Sequence, residues 1–349
     1  MSNSLKKLLP AIFVVLLLAI VGGYYYFNSK EPKVENLPII KIAFSAQNLD
    51  SVPILIADKR GYFEDQGVRI ELIQASGSEA AVALGGGQVD LAVMSAPRIY
   101  SPIEKGVPVK ILSPMSNTDS QLFVRPDSGL TKVKDLEGKK VSYGSSGGTK
   151  ELFIKSILNK EGVDISKITF VEVDNTFLHV ALMDKMVVDA IMIQDAHYVD
   201  EAEKLGAIVL PEWIDKNYAK TTTGLTISVN TDYLKNNEEN VRKFLNALIE
   251  GHRYLKNNVD EASIIVSNTM TELTNGAFDV KAEDFVTQVT EGNVSYVIWE
   301  DTTNVLGMAK VSYDIGTLTK LPVENDLYDF RFKTLLESAQ NEVYGTKAN

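Results

Sequence analysis

From Val52 to Ala96 the chain reads VPILIADKRGYFEDQGVRIELIQASGSEAAVALGGGQVDLAVMSA, two apolar helical stretches alternating with two β-rich stretches across short loops of small and polar residues. No other run limits the fold as much. Alternation at this spacing builds βαβ units, in which parallel strands are joined by crossover helices and the sheet is covered on both faces. In such sheets a ligand sits in the crevice beyond the carboxyl ends of the strands. Ser76, Gly77 and Ser78 lie at one such end and Ser95 at another.

The alternation begins earlier and continues later. Ile39 to Phe44 is a strand followed by Ser45-Ala46-Gln47-Asn48. Val52 to Arg60 is a helix that stops at Gly61, Arg69 to Gln74 is a strand, and Ser78 to Leu84 is a short helix. Leu91 to Met94 is a buried strand, Pro97 suits a first helical turn, and Val109 to Ser113 is a further strand. Shifting the chain by 99 places sets Lys41-Ile42-Ala43-Phe44 on Lys140-Val141-Ser142-Tyr143. The same shift sets Val89 to Ser95 on Val188 to Gln194. One offset for both matches points to two similarly built lobes, and 349 residues with 45% apolar content suffice for two cores. The loops Ser45 to Asn48 and Gly144 to Thr149 then approach a ligand from opposite sides, as do Ser95 and Gln194. Within the first of these loops, Ser45, Gln47 and Asn48 are the candidate contacts.

The sharpest chemical signal is KKVSYGSSGGTKELFIKSIL, a strand, a turn and a helix opening at Thr149. A helix start exposes unpaired amides and a partial positive charge, so Ser145, Ser146, Gly147, Gly148 and Thr149 form a candidate anion site built from hydroxyls and backbone. The plainer account is an N-cap that satisfies its own helix. Arg98, at a strand end, is a candidate partner for an anionic head, against a solvated helix residue. Asp195 beside Gln194 is a candidate for an ammonium group, against an N-cap carboxylate. Gly144 to Gly148 also satisfies G-x-S-x-G, the context of a hydrolase nucleophile elbow, with His179, His197 and His252 downstream as candidate bases. No HGGG-type loop precedes the serine. Trp213 and Trp299 read as core, and His179 as structural.

Composition removes other classes. With 46 acidic against 35 basic residues, a formal charge of -11 and no basic cluster, no nucleic-acid partner is expected. Zero cysteines exclude disulfides, thiolate metal sites, a cysteine nucleophile and a lipid-anchored amino-terminal cysteine. The scattered histidines offer no metal site, and Gly85-Gly86-Gly87 precedes a strand rather than a helix, so no cofactor is expected. Lys6-Lys7 stand ahead of an uncharged stretch, Leu8 to Phe27, long enough at about 1.5 Å per residue to cross a bilayer. Residues 1–7 are then cytoplasmic, 8–27 a transmembrane anchor, 28–37 a polar tether, and the rest extracytoplasmic. Val21 and Gly23 offer the alternative of a cleaved signal.

Pro53, the Gly61-Tyr62-Phe63 turn, Gly67-Val68, the Ser76-Gly77 loop, Gly87-Gln88-Val89-Asp90, TTTGLTISV from Thr221 and TDYLKNNEENVRKFLNALIEG from Thr231 carry a family likeness. In these residues the chain resembles the solute-binding proteins of ABC importers of the nitrate/sulfonate/taurine type, within the NMT1/THI5-like superfamily. The resemblance covers Ile39 to Asn258. It implies the α/β two-lobed type II periplasmic-binding-protein fold, with residues 38–122 and 226–349 as one lobe and 123–225 as the other. The second crossing would lie near Thr221 to Thr226, with Thr223 among the site residues, and the helices that follow would pack back on the first lobe. Partners implied are a small, anionic solute, a membrane permease and a cytoplasmic ATPase. Many relatives have an aromatic-acid-proline stretch where this chain reads Gln194-Asp195-Ala196-His197, so the solute's apolar part is held differently here. Two alternatives stand: a thiamine-pyrimidine-precursor binder, and a serine hydrolase using the GSSGG turn.

Overall fold

Thirteen strands fall into two five-stranded sheets and a three-stranded connector in the computed structural model, which describes residues 36–173, 177–194, 196–218, 222–291 and 294–345. They are β1 (Ile39–Phe44), β2 (Arg69–Gln74), β3 (Leu91–Met94), β4 (Val109–Pro114), β5 (Ser116–Thr118), β6 (Gln121–Val124), β7 (Lys140–Gly144), β8 (Thr169–Glu172), β9 (Ala190–Ile193), β10 (Ile208–Val209), β11 (Thr222–Thr223), β12 (Thr226–Asn230) and β13 (Ser295–Tyr296). Contacts separate a leading unit, Met1–Pro38, from a main unit, Ile39–Asn349, and every strand among the described residues belongs to the second. The expected anchor over residues 8–27 lies outside the described residues. Among those described, no helix is long and apolar enough to cross a membrane.

The first sheet runs in the order β2-β1-β3-β12-β4 and the second, read from its other edge, β8-β7-β9-β6-β10. In both, three parallel strands are followed by one antiparallel strand and then a strand returning to the original direction. The sheets are therefore mainly parallel. Each borrows its antiparallel strand from across the molecule. The chain leaves the first lobe after β4, passes through β5 and enters the second as β6; it returns through β11 and completes the first sheet as β12. The crossing strands β5 and β11 pair antiparallel, Thr222 opposite Thr118 and Thr223 opposite Asn117.

The 99-residue offset is a structural repeat. Ile42 pairs with Leu91 and Ala43 with Ala92, while Val141 pairs with Ala190 and Ser142 with Ile191. Side chains alternate faces along each strand. In the second lobe Leu122, Val124, Val141, Tyr143, Ala190 and Met192 form one core with Ile154, Leu158 and Trp213. Phe123, Ile191 and Ile193, on the other face, join the larger core that runs through the first lobe. Both tryptophans are buried, as expected of core residues.

Helix Glu238–Asn257 packs on helix Val52–Lys59 of the first lobe. Its stripe Val241, Phe244, Leu245, Leu248 and Ile249 is buried, each such side chain contributing about 1.5–3 kcal/mol. Phe244 stacks on Phe63 with ring centroids 5.4 Å apart. Gly251 sets the approach of the two helices, because a Cβ there would stand 2.2 Å from the Pro53 carbonyl oxygen.

Candidate functional site

At the carboxyl ends of the parallel strands of both sheets lies a cavity of about 130 Å³. That is close to the space that admits benzene in an engineered protein cavity. From the first lobe it is lined by Ser45, Asn48, Asp50, Ser76, Gly77, Val93, Met94, Ser95 and Arg98. From the second come Tyr143, Gly144, Ser145, Gly148, Thr149, Lys150, Val173 and Gln194, and from the crossing segments Thr118, Gly224 and Leu225.

Most of the residues expected from sequence meet here, and several do not. Gln47 does not line the cavity: its backbone N–H donates to Ser45 Oγ (3.3 Å) and its backbone carbonyl accepts from the Tyr198 hydroxyl (3.2 Å). Ser78, Ser146 and Gly147 line a separate outer groove with Ala81, Val82, Pro102 and Val107. Thr223 faces away and donates to Glu300 Oε1 at 2.5 Å. Asp195 lies outside the described residues.

Ser76 caps its own helix, Gly77–Gly85, in a reciprocal capping box. Its hydroxyl accepts from Glu79 N–H (3.4 Å) and its own N–H donates to Glu79 Oε2 (2.8 Å). The turn after β7 is organised by Glu151, which the sequence reading missed. Glu151, in the first turn of helix Thr149–Lys160, is 8% exposed. Its Oε2 accepts from Gly147 N–H (2.5 Å) and Ser146 Oγ (3.3 Å), and its Oε1 pairs with Lys155 Nζ (2.5 Å). Burial alone would push this carboxyl up, but the bonds from Lys155 and Gly147 outweigh it and hold it below its ordinary value. An internal carboxylate thus takes part of the helix N-terminus predicted for an external anion. Burial, then the carboxylates of Glu151 and Glu172, push the pKa of the Tyr143 phenol up, and its hydroxyl donates toward both.

Asp50 and Lys150 were also missed. Burial raises the Asp50 carboxyl above its ordinary range, opposed by a bond to Ser116 and the charge of Lys150 from the other lobe. The cavity therefore holds an acid as well as cations. Two further lining residues carry a buried oxygen without a hydrogen-bond partner among the described residues, Asn48 Oδ1 and Thr149 Oγ1. Such orphans in a native site call for a water or a bound group. Gln194 is held in place, its Nε2 on Ser120 Oγ (2.6 Å) and its carbonyl accepting from Thr118 Oγ1 (2.5 Å).

The segment after residue 270, where the family likeness fades, supports the connector. β13 adds to β5, pairing Ser295 with Asn117 and Tyr296 with Ser116. Glu300 grips both crossings, accepting from Asn117 Nδ2 (3.0 Å) and Thr223 Oγ1 (2.5 Å). Helix Thr303–Asp314 then packs on helix Pro97–Glu104 of the first lobe and helix Thr149–Lys160 of the second.

The hydrolase alternative finds little here. A nucleophile elbow strains its serine, but the described non-glycine residues with positive φ are Met186, Asn217 and Asn275. Ser146 Oγ meets a carboxylate already engaged by Lys155 and Gly147. His252 is buried in the first lobe against Tyr344, Nδ1 to hydroxyl 2.9 Å. The side chains of His179 and His197 lie outside the described residues.

Residues 48–262 match the family model described as NMT1/THI5 like. The chain belongs to that family. A putative thiamine biosynthesis protein of Haemophilus influenzae is 34% identical over 102 residues, 29% of this chain. The chain spans about a third of that relative's length, 32%. Among solved structures, the alkanesulfonate-binding protein SsuA from Xanthomonas axonopodis pv. citri superposes with a TM-score of 0.63 at 16% identity, over 82% of this NMT1/THI5-like chain and 94% of that one. The periplasmic nitrate-binding protein NrtA from Synechocystis gives 0.64 at 15% identity, over 87% and 86%. At these identities the likeness establishes the fold, two α/β lobes of the periplasmic-binding-protein type.

Proposed function

We propose that this chain is the extracytoplasmic solute-binding component of an ABC importer and that it enfolds a small polar solute between its lobes. The observation that carries this reading is the cavity itself, walled by corresponding strand ends of two repeated lobes. A solute that touches both walls does so fully only when they close, so binding and closure are one equilibrium. The closed form would be handed to a membrane permease driven by a cytoplasmic ATPase. No chemical step is needed, and the site is a receptor rather than a catalyst.

The solute's acceptor end, an oxyanion such as a sulfonate or nitrate in the anionic reading, would meet Lys150, Thr149, Ser145 and Gly148. Asp50 favours a second reading, in which the solute also brings a hydrogen-bond donor. An aminopyrimidine precursor of thiamine has that chemistry, as has an aminosulfonate. In either reading an amino-terminal anchor over residues 8–27 would keep the receptor at the outer face of the membrane.

A thermal-shift panel of nitrate, ethanesulfonate, 2-aminoethanesulfonate and 4-amino-5-hydroxymethyl-2-methylpyrimidine tests the proposal. A bound solute at a hundredfold excess over Kd stabilises by about 2.7 kcal/mol. The expected outcome is a rise in Tm with at least one of them. Asp50→Asn should remove the response to the two amine-bearing probes and leave that to the others. A panel of polar solutes that leaves Tm unmoved contradicts the receptor role.

A further inference from the structure

The sequence marks Arg98 as a partner for an anionic solute, but its surroundings give it other work. Arg98 stands in the first turn of helix Pro97–Glu104, immediately beyond β3 of the first lobe. Its Nη1 donates to Ser78 Oγ of the same lobe at 2.7 Å and, across the cleft, to the Ser146 carbonyl oxygen at 2.7 Å. Its Nη2 donates to Ser145 Oγ of the second lobe at 2.5 Å. Of these three bonds, one aims the guanidinium and two fasten it to the opposite lobe.

The slot it occupies is made by two glycines, one from each lobe. A Cβ on Gly77 would stand 2.4 Å from Arg98 Nε, and a Cβ on Gly148 would stand 3.1 Å from Nη2. Neither glycine is required by a left-handed backbone. Gly148 has φ -89° and ψ 171°, which any residue adopts. Their absent side chains are explained by the arginine that passes between them. Arg98 also lines both the inner cavity and the outer groove of Ala81, Val82, Pro102 and Val107, so it forms the partition between them.

We propose that Arg98 is the latch of the cleft: it fastens the first lobe to the Ser145-Ser146 turn of the second and seals the cavity mouth, and it is not the receptor of the solute's charge. The proposal rests on the cleft being the solute site. Guanidinium suits this role, since its planar fork of donors reaches two oxygens on one wall and a third on the other. Its cross-lobe bonds exist only in the closed arrangement and bias the equilibrium toward it. Apparent affinity scales with the population competent to hold solute, so a lost latch weakens every solute by a common factor.

The chain has no cysteine, so cysteines introduced at the exposed positions Lys256 in the first lobe and Glu203 in the second take a donor and acceptor dye without competition. The distance between them is read in the full-length protein carrying Arg98, Arg98→Gln, Arg98→Lys or Gly148→Ala, alone and with the four probes above. Gly148→Ala keeps every arginine donor and crowds Nη2, 3.1 Å from the added Cβ, so it disturbs the latch without removing the charge. The latch predicts longer interlobe distances in the free protein for Arg98→Gln and Gly148→Ala. It also predicts a loss of about tenfold or more in affinity for each probe that binds, charged or neutral alike, carried by faster dissociation. Arg98→Lys should fall between, with one donor head in place of a fork. Unchanged distances in both Arg98→Gln and Gly148→Ala overturn the proposal, as does a loss confined to anionic probes. Should no probe bind the unaltered protein, the receptor reading falls while the distances of the free protein still decide the latch.

Discussion

Asp90 and Asp189 hold the same place in the two lobes. Asp90 Oδ2 accepts from Lys41 N–H at 2.8 Å, and its own N–H donates to the Lys41 carbonyl at 2.9 Å. Asp189 does the same to Lys140, at 2.9 Å and 2.8 Å. Each pair clips two neighbouring parallel strands of its lobe, β1 to β3 and β7 to β9, and so fixes the register that brings both strand ends to the cavity.

Removing either carboxylate should cost stability without touching the cavity. These bonds lie near the surface, where a hydrogen bond contributes about 0.5–1.5 kcal/mol, so Asp90→Ala and Asp189→Ala are each expected to destabilise by about that much. Because the sites share no partner, the double variant should equal the sum within about 0.5 kcal/mol. Urea denaturation of the four proteins checks this.

Glu300 should act as a clamp on the crossing strands. Glu300→Ala strands the Asn117 amide and the Thr223 hydroxyl, which both donate to it. A double-mutant cycle of Glu300→Ala with Thr223→Val should give a coupling of about 0.5–3 kcal/mol. Amides of β5 and β11 should exchange faster in the single variant than in the unaltered protein, with those of β1 and β7 unchanged.

His252 should make the protein acid-sensitive. Burial pushes its imidazole down to about 3, while in the unfolded chain it titrates near its ordinary value of 6.5. Between those values the unfolded state binds a proton that the folded state refuses, so stability falls as pH drops from about 6.5 toward 3. The loss contributed by this one group between pH 7.5 and 5.5 is about 1.4 kcal/mol. His252→Gln should flatten the stability profile over that interval; an unaltered slope contradicts the assignment.

Much of this arrangement was legible in the chain. The 99-residue repeat was visible because strands buried on both faces keep their apolar runs, and Lys41 to Phe44 and Lys140 to Tyr143 face the same constraint twice. The strand-end rule found Ser45, Asn48, Ser95, Ser145 and Gln194 for the same reason. It passed over Asp50, which stands within the short turn Leu49–Ser51 beyond the loop the rule picks out. Lys150, at the second position of a helix, reads as solvated until the opposite lobe is placed over it. Glu151 left a signal, an acid in the first helical turn after a small-residue loop, and that pattern caps an N-terminus more often than it frees one. Arg98 was found among the lining residues, but its bonds to the opposite lobe were not, since nothing local reveals that two glycines 71 residues apart leave room for it. Glu300 gave no signal, because its role exists only where two distant crossing strands meet.

The account stands on closure around a solute, and the interlobe distance measures it most directly. With dyes at Lys256→Cys and Glu203→Cys, any probe that raises Tm should convert a broad distance distribution into one narrow, shorter population, with the same midpoint concentration in both measurements. A solute that stabilises the protein while leaving the interlobe distance unmoved would contradict the central claim.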